Sequence, residues 1–211
     1  TIVGTRILSL SDFHIPFQLP IETFKSYSGK IDILVLNGDI EDCQSISKFS
    51  KKYRVPLVEE MVATRQYMID LIKMLHPKKV YVVKGNHEAR LGKYLSDQLN
   101  EDIMNLMPDS PLDFIVNEGF KNKDRLNRTE TWYSPLTEVF DGSGIKISYD
   151  GNWFVKVGKT FLVHPLSYSA QMLKTTEKAV NYFLRVDSDF DSLIMAHTHK
   201  LGSFIQGGIK M

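Results

Sequence analysis

Short apolar runs rich in β-branched residues alternate with a helical pattern in the first half of the chain. The runs cover residues 6–12, 31–37 and 79–84. Runs of this kind are typical of parallel strands that are covered on both faces. Between the second and third runs, apolar residues recur at helical spacing, so a helix is predicted to begin at Pro56 and to end before Pro77. This order predicts a βαβ unit with a functional crevice at the strand ends.

The second half of the chain has a different pattern. Residues 101–144 are polar, dotted with aromatic residues and punctuated by proline and glycine, which predicts an insertion or a lid. A helix is predicted over about 168–184. Strands are predicted at 145–148, 153–157, 160–164 and 192–197. Gly158-Lys159 suits a tight type II′ hairpin between the second and third of these, so the second half is expected to be antiparallel.

Composition permits an enzyme but selects none. The chain has 211 residues, 43% hydrophobic and 24% charged, which fits a single globular domain, residues 1–211. The formal net charge is only +1, so a preference for polyanions has to come from local patches. A single cysteine, Cys43, excludes an intramolecular disulfide, and no apolar run approaches the roughly 18 residues of a membrane span. Cytoplasm is therefore the expected location, and no membrane partner is expected.

Candidate chemistry enters with the histidines, five of which stand in short motifs. The motifs are Asp12-Phe13-His14, Gly38-Asp39, Gly85-Asn86-His87-Glu88, His164 and His197-Thr198-His199. Within the first and last motifs the two polar residues are two positions apart at a strand end, so each pair is expected to face one way and to hold one ion. Carboxylate and imidazole ligands without thiolate suit Mn²⁺, Fe or Zn²⁺.

In this order the motifs resemble those of the calcineurin-like metallophosphoesterase superfamily, D-x-H, G-D, G-N-H-[DE], H and G-H-x-H. The resemblance spans residues 12–199. Together with the predicted strands, it implies an α/β fold, a four-layer αββα sandwich with two mixed β-sheets flanked by helices.

The resemblance also implies a dinuclear site. One metal would be held by Asp12, His14 and His199, the other by Asn86, His164 and His197, with Asp39 bridging them. The two divalent ions, Mn²⁺ first and Fe or Zn²⁺ as alternatives, would lower the pKa of a shared water whose hydroxide attacks phosphorus in line.

Four residues are candidates for a role in catalysis or in substrate binding. The resemblance makes His87 the residue that assists the leaving group and Asp42 its partner, which would favour protonated His87. Asn86 is also expected to contact the substrate. Phosphoprotein phosphatases carry a phosphate-binding arginine where this chain has Cys43, which argues against a close relationship with them. Arg90 either replaces that arginine or is an exposed helix residue.

Two motif neighbours are expected to be structural. Glu88 is interpreted either as a residue that supports the ligands from behind or as a carboxylate that is favourable at a helix start, with a slight preference for the second, and it is left out of the ligand set. His76, before Pro77, is assigned to the end of the preceding helix.

The sequence leaves three hypotheses about function open. A phosphate ester, which could be a nucleotide, is the first hypothesis, and a DNA nuclease of the Mre11 and SbcD type is the second. Two basic clusters keep nucleic acid open; they comprise Lys48, Lys51, Lys52 and Arg54, and Lys121, Lys123, Arg125 and Arg128, the latter followed by Trp132 and Tyr133. The third hypothesis is a non-catalytic scaffold, which the complete ligand set disfavours. Oligomeric state is not predicted.

Overall fold

The computed structural model describes residues 4–49, 54–167, 169, 171, 173–187, 189–199, 202–203, 205–206 and 209–210. Its strands are β1 Ile7–Leu10, β2 Ile33–Asn37, β3 Lys79–Val83, β4 Phe120–Asp124, β5 Thr129–Tyr133, β6 Lys146–Ser148, β7 Phe154–Val157, β8 Thr160–Val163, β9 Ser192–Met195, β10 Ile205–Gln206 and β11 Ile209–Lys210. Its α-helices are α1 Leu57–Leu75, α2 Arg90–Gln98, α3 Glu101–Met104, α4 Leu136–Val139 and α5 Lys174–Val186. The 3₁₀ segments Ile21–Tyr27 and Gln44–Ile46 and the π-helical segment Asp113–Glu118 complete the described elements.

The strands form two larger sheets and a separate hairpin, β4–β5. In the first sheet the order is β1-β2-β3-β6, and every neighbouring pair is parallel. In the second sheet the order is β10-β11-β9-β8-β7, with parallel inner pairs and antiparallel outer pairs. The predicted α/β sandwich is confirmed. Of its two sheets the second is mixed, whereas the first is parallel throughout its described strands.

Alternating side chains of the buried strands connect the layers of the sandwich. On β2, Leu34 and Leu36 pack in the core cluster that also contains residues of α1, while Val35 between them packs with Leu162 of the second sheet. Phe161, the neighbour of Leu162, turns the other way and stacks on Phe183 of α5 at a ring-centroid distance of 4.0 Å. Both faces of each sheet are therefore covered, as the apolar strand runs predicted.

The two predicted long helices are present. Helix α1 follows Pro56, and His76 closes it in a left-handed conformation, where its N–H donates to the carbonyl of Ile72 at 2.8 Å. This is the helix-end position that was predicted for His76. Helix α5 corresponds to the helix predicted over 168–184, of which residues 168, 170 and 172 lie outside the described residues. None of the described helices combines the length and apolar character needed to cross a membrane.

Strand pairing in the second half is antiparallel only in part. Strands β7 and β8 form the predicted hairpin, and Gly158 in its turn has a φ of 60°, as the first central residue of a type II′ turn requires. Strand β9, however, runs parallel to β8, so the antiparallel prediction is wrong for this pair. The reason is that α5 lies between them in sequence and provides the crossover that parallel strands need.

The segment 101–144 contributes to the main core. Leu112, Ile115, Val116 and Leu136 are fully buried in the cluster that includes α1. The β4–β5 hairpin extends from this base, and short elements such as the π-helical segment explain why no persistent period is visible in the sequence. A role as a lid stays a prediction.

Candidate metal centre

The loops that follow β1, β2, β3, β8 and β9 bring the motif residues together. Backbone hydrogen bonds join the first two loops: Asp12 donates to the carbonyl of Gly38 at 3.1 Å, and His14 donates to that of Asp39 at 3.0 Å. Gly38 is required here, because a Cβ on this residue would collide with the ring of His164. Parallel strands of both sheets thus place their carboxyl ends at one edge of the sandwich, as predicted.

One group of potential ligands consists of Asp12, His14 and His199, whose ligand atoms lie within 4.8 Å of one another. His199 Nε2 is 3.3 Å from Asp12 Oδ1, and the rings of His14 and His199 stack at 5.5 Å. Asp12 Oδ1 is buried, and the described residues give it no hydrogen bond. A buried carboxylate oxygen of this kind calls for a partner, and a divalent cation between these three side chains would supply it.

A second group consists of Asp39, His164 and His197, again with ligand atoms within 4.8 Å of one another. His164 is fully buried, and its Nε2 lies 3.2 Å from Asp39 Oδ2 and 3.3 Å from the Oδ1 of Asn86. On the other side of the ring, Nδ1 is 2.7 Å from the carbonyl oxygen of Asn37. Since a carbonyl only accepts, Nδ1 carries a proton, so Nε2 is the nitrogen that would coordinate a metal once its own proton is displaced.

Asp39 connects the two groups. Its carboxylate also belongs to a third set of close ligand atoms, with His14 and His87. Burial opposes its ionisation, but the hydrogen bond to His164 and the nearby histidines more than offset this, and the pKa of Asp39 falls to about 2. A carboxylate that stays charged between two groups of donors has the position expected of a bridging ligand.

The pKa values of three histidines reflect the same charges. Burial lowers the pKa of His14 and of His164, but neighbouring carboxylates outweigh burial and the net direction is upward for both. For Asp39 and His164 this describes an ion pair. The pKa of His197 is lowered by burial and by the charge of His164. A second cationic imidazole is disfavoured there, which suits a neutral ligand.

The directions of the candidate ligand side chains are set by local backbone conformation rather than by the alternation of side chains along a strand. Strand β1 ends at Leu10 and β9 at Met195, before their motifs begin. Asp12, His14, Asp39, His197 and His199 all have a positive φ, between 48° and 87°. Positive φ is uncommon for residues other than glycine, and such residues concentrate at functional sites.

The two polar residues of the first motif lie in one ligand group, whereas the two histidines of the last motif lie in different groups. Asp12 and His14 belong to the same ligand group, whereas His197 lies with Asp39 and His199 lies with Asp12. The expectation from strand spacing that His197 and His199 hold one ion is therefore wrong. The resemblance also placed these two histidines in different ligand sets, and the binding of two ions stays a prediction.

His87 and Asp42 are adjacent, as the resemblance implied. The Nδ1 atom of His87 lies 2.9 Å from Asp42 Oδ1 and 3.0 Å from the Asp42 carbonyl oxygen. The Nε2 atom is 3.0 Å from Nη2 of Arg90, whose Nη1 donates to the Asp42 carbonyl at 2.7 Å. Because a guanidinium can only donate, Nε2 accepts here and Nδ1 carries the proton. The preference for protonated His87 that the resemblance implied stays a prediction.

Arg90 is not the exposed helix residue of one interpretation from sequence, and its replacement of the phosphate-binding arginine stays a prediction. It is half-buried, and in this structure it binds the His87–Asp42 pair rather than projecting freely from α2. Cys43 is fully buried, and burial together with the charges of Glu41 and Glu88 raises the pKa of its thiol well above the usual range. The Cys43 side chain can therefore neither bind phosphate as an arginine does nor act as a nucleophile.

Glu88 has the supporting role that was the less preferred of its two interpretations from sequence. It precedes α2 and is fully buried, so helix-start electrostatics, the interpretation slightly preferred from sequence, does not account for its position. Its carboxylate accepts backbone hydrogen bonds from Asp39 at 3.1 Å, Ile40 at 2.6 Å, Glu41 at 2.9 Å and Gly85 at 2.9 Å. Burial and the charge of Asp39 raise the pKa of Glu88. Glu88 thus fixes the loop that carries the bridging aspartate, and its place in the Gly-Asn-His-Glu motif was the available signal.

The basic clusters are partly engaged in ion pairs. Lys48 pairs with Asp97 at 3.2 Å, whereas Lys51 and Lys52 lie outside the described residues. Lys121 and Lys123 on the exposed β4–β5 hairpin both contact Glu130, at 2.6 and 3.6 Å. Partial neutralisation by neighbouring acids weakens the case for these lysines as a phosphate-binding track.

The arrangement of carboxylate, imidazole and amide groups at the strand ends defines a candidate dinuclear metal site. The family model for calcineurin-like phosphoesterases matches residues 5–201, and the chain belongs to this family. The predicted superfamily is thereby confirmed. No curated protein sequence matches the chain significantly.

Solved structures to which the chain shows similarity include two Vps29 proteins. Vacuolar Protein Sorting 29 from Cryptosporidium parvum is 17% identical, with a TM-score of 0.43 over 98% of this chain and 72% of that one. A single mutant of Vps29 from Entamoeba histolytica is 18% identical, with a TM-score of 0.38 over 97% of this chain and 70% of that one. Similarity at this level carries no conclusion about activity.

Proposed function

We propose that the protein hydrolyses phosphoric esters with the help of two divalent metal ions. The observation that carries the proposal is the position of Asp39, whose buried carboxylate is shared between ligand groups on either side, next to the His87–Asp42 pair. Membership of the calcineurin-like phosphoesterase family supports the same reaction class.

The ligand roles follow the two groups. Asp12, His14 and His199 would hold one ion, His164, His197 and Asn86 would hold the other, and Asp39 would be shared between them. Mn²⁺ is the proposed metal because the donors are oxygen and imidazole nitrogen without thiolate. When bound, the two ions supply a lowered water pKa and charge neutralisation at the phosphoryl oxygens.

The remaining chemistry belongs to His87, Asp42 and Arg90. Asp42 orients the imidazole through Nδ1, so that Nε2, after it has left Arg90 and taken up a proton, would be the atom that donates to the departing oxygen. In the structure Nε2 contacts Arg90. Substrate binding would therefore have to draw Arg90 away, and the phosphoryl oxygens are suitable new partners, because a guanidinium binds two of them in a fork.

The experiment that tests the proposal combines metal content with turnover. The protein is loaded with Mn²⁺ and assayed on a phosphate monoester, a diester, a cyclic nucleotide and DNA. We expect turnover of at least one ester. Asp39→Asn should lose both metal and rate, whereas the control His76→Ala, at the end of α1, should lose neither. Two bound ions without turnover of any substrate would contradict the proposal and leave a scaffold as the better interpretation.

A DNA nuclease is the second candidate. It is supported by the exposed Arg125, Arg128 and Trp132 on the β4–β5 hairpin, which combine cations with an aromatic surface. Cleavage of DNA without turnover of small esters would favour this candidate over the first.

A further inference from the structure

A cavity of about 290 Å³ opens beside the candidate metal centre. Its walls include Asn86, Arg90, Lys93, Tyr94, Phe49 and Leu166. The volume is close to the lower end of the roughly 300–1,000 Å³ that small-molecule sites span. The cavity therefore has room for one small ligand rather than for a long polymer.

Two wall residues connect this cavity to the chemistry. Asn86 Oδ1 lies 3.3 Å from the Nε2 of His164, in the second ligand group. Arg90, on the same wall, reaches the Nε2 of His87 at 3.0 Å. A phosphoryl group bound at the metal centre would thus have this cavity as the neighbouring space for one of its ester substituents.

The composition of the walls indicates which substituent fits. Phe49 and Tyr94 leave 71% and 45% of their surface exposed and line the same cavity, so two aromatic side chains are accessible to a ligand there. Leu166 adds apolar surface, and Arg90 and Lys93 add positive charge. Aromatic faces bind nucleobases of any sequence by stacking, while neighbouring cations attract the phosphate of the same nucleotide.

We propose that this cavity binds the nucleoside of a nucleoside phosphodiester, with the base against Phe49 or Tyr94 and the phosphate toward Arg90 and the metal centre. The proposal rests on the proposed hydrolase function and names its substrate class. Lys48 and Asp97 also line the cavity, and their ion pair partly neutralises the charge of Lys48. The phosphate is therefore expected to be attracted mainly to the side of the cavity that carries Arg90.

Kinetics on two esters with the same leaving group test the proposal. With Mn²⁺ present, kcat/KM is measured for thymidine 5′-phosphate p-nitrophenyl ester and for methyl p-nitrophenyl phosphate. Tyr94→Ala and Phe49→Ala are each compared with Tyr27→Ala, whose tyrosine is also 45% exposed but lies in a different part of the chain. We expect at least one cavity variant to lower the ratio of the two kcat/KM values by about tenfold, and the control to preserve it. An unchanged ratio in both cavity variants would overturn the proposal.

A binding measurement separates this proposal from the hydrolase function. Isothermal titration compares thymidine 5′-monophosphate with 2-deoxyribose 5-phosphate, which lacks the base. We expect the nucleotide to bind about tenfold more tightly in the wild type and to lose that advantage in the sensitive variant. Equal affinities would overturn the cavity proposal even if both esters are hydrolysed. A nucleotide preference without turnover would support the cavity and contradict the hydrolase function.

Discussion

Replacement of Glu88 by glutamine should damage the site without touching a ligand. The carboxylate accepts four backbone hydrogen bonds in a fully buried position, two through each oxygen. In Glu88→Gln one of those oxygens becomes an NH₂ group, which faces two N–H donors and cannot accept from them. At about 1.5–3 kcal/mol for each hydrogen bond to a charged group, the expected loss in the free energy of unfolding is about 3–6 kcal/mol.

The assay is urea denaturation of the metal-free protein, with Glu59→Gln as the control. Glu59 is an exposed carboxylate on α1, and its replacement should change the free energy of unfolding by no more than about 0.5 kcal/mol. Because Glu88 also orients the Asp39 loop, Mn²⁺ affinity should fall by about tenfold or more. A stability loss below about 1 kcal/mol together with unchanged Mn²⁺ affinity would refute the assigned role of Glu88.

Three further changes test other parts of the account. Gly85→Ala should weaken Mn²⁺ binding in titration calorimetry, because the added Cβ would collide with the backbone nitrogen and side chain of Asp39. The control is Gly4→Ala, since no atom lies within 4 Å of a Cβ added there. Equal effects of the two substitutions on Mn²⁺ affinity would contradict the predicted collision. Burial raises the pKa of Glu60 from 4.5 to about 7, so folding stability should fall by at most about 3 kcal/mol as the pH rises through this window. In urea denaturation at each pH, the free energy of unfolding should fall less with rising pH in Glu60→Gln than in the wild type. An identical pH dependence of the two proteins would contradict the raised pKa of Glu60. His87→Ala should keep its metals but slow the hydrolysis of phenyl phosphate by about 10²–10⁴-fold. The hydrolysis of p-nitrophenyl phosphate, which has a better leaving group, should slow by less. An equal loss of rate for both substrates would exclude a leaving-group role.

The sequence predicted the elements that deliver the site because each depends on local pattern. The βαβ unit, α1 with its end at His76 and the Gly158 hairpin all follow from apolar period, proline and glycine. The parallel pairing of β8 with β9 was missed because the prediction rested on the Gly158 hairpin, whereas the helix predicted between these two strands was the signal for a parallel crossover.

Contacts between loops could not be read from the chain. The role of Glu88 depends on a loop that lies 47 to 49 residues earlier in sequence and folds over it. Arg90 was left undecided for the same reason, since its two partners become neighbours only when the loops after β2 and β3 meet. The separation of His197 from His199 requires positive φ angles, which no periodic pattern predicts.

The central claim is that Asp39 joins two metal ions held by the two ligand groups. Electron paramagnetic resonance of the Mn²⁺-loaded protein, together with metal quantification, tests it most directly. We predict two Mn²⁺ ions per chain with the exchange-coupled spectrum of a bridged pair, and loss of that coupling in Asp39→Asn. A single ion per chain, or two uncoupled ions in the wild type, would contradict the claim.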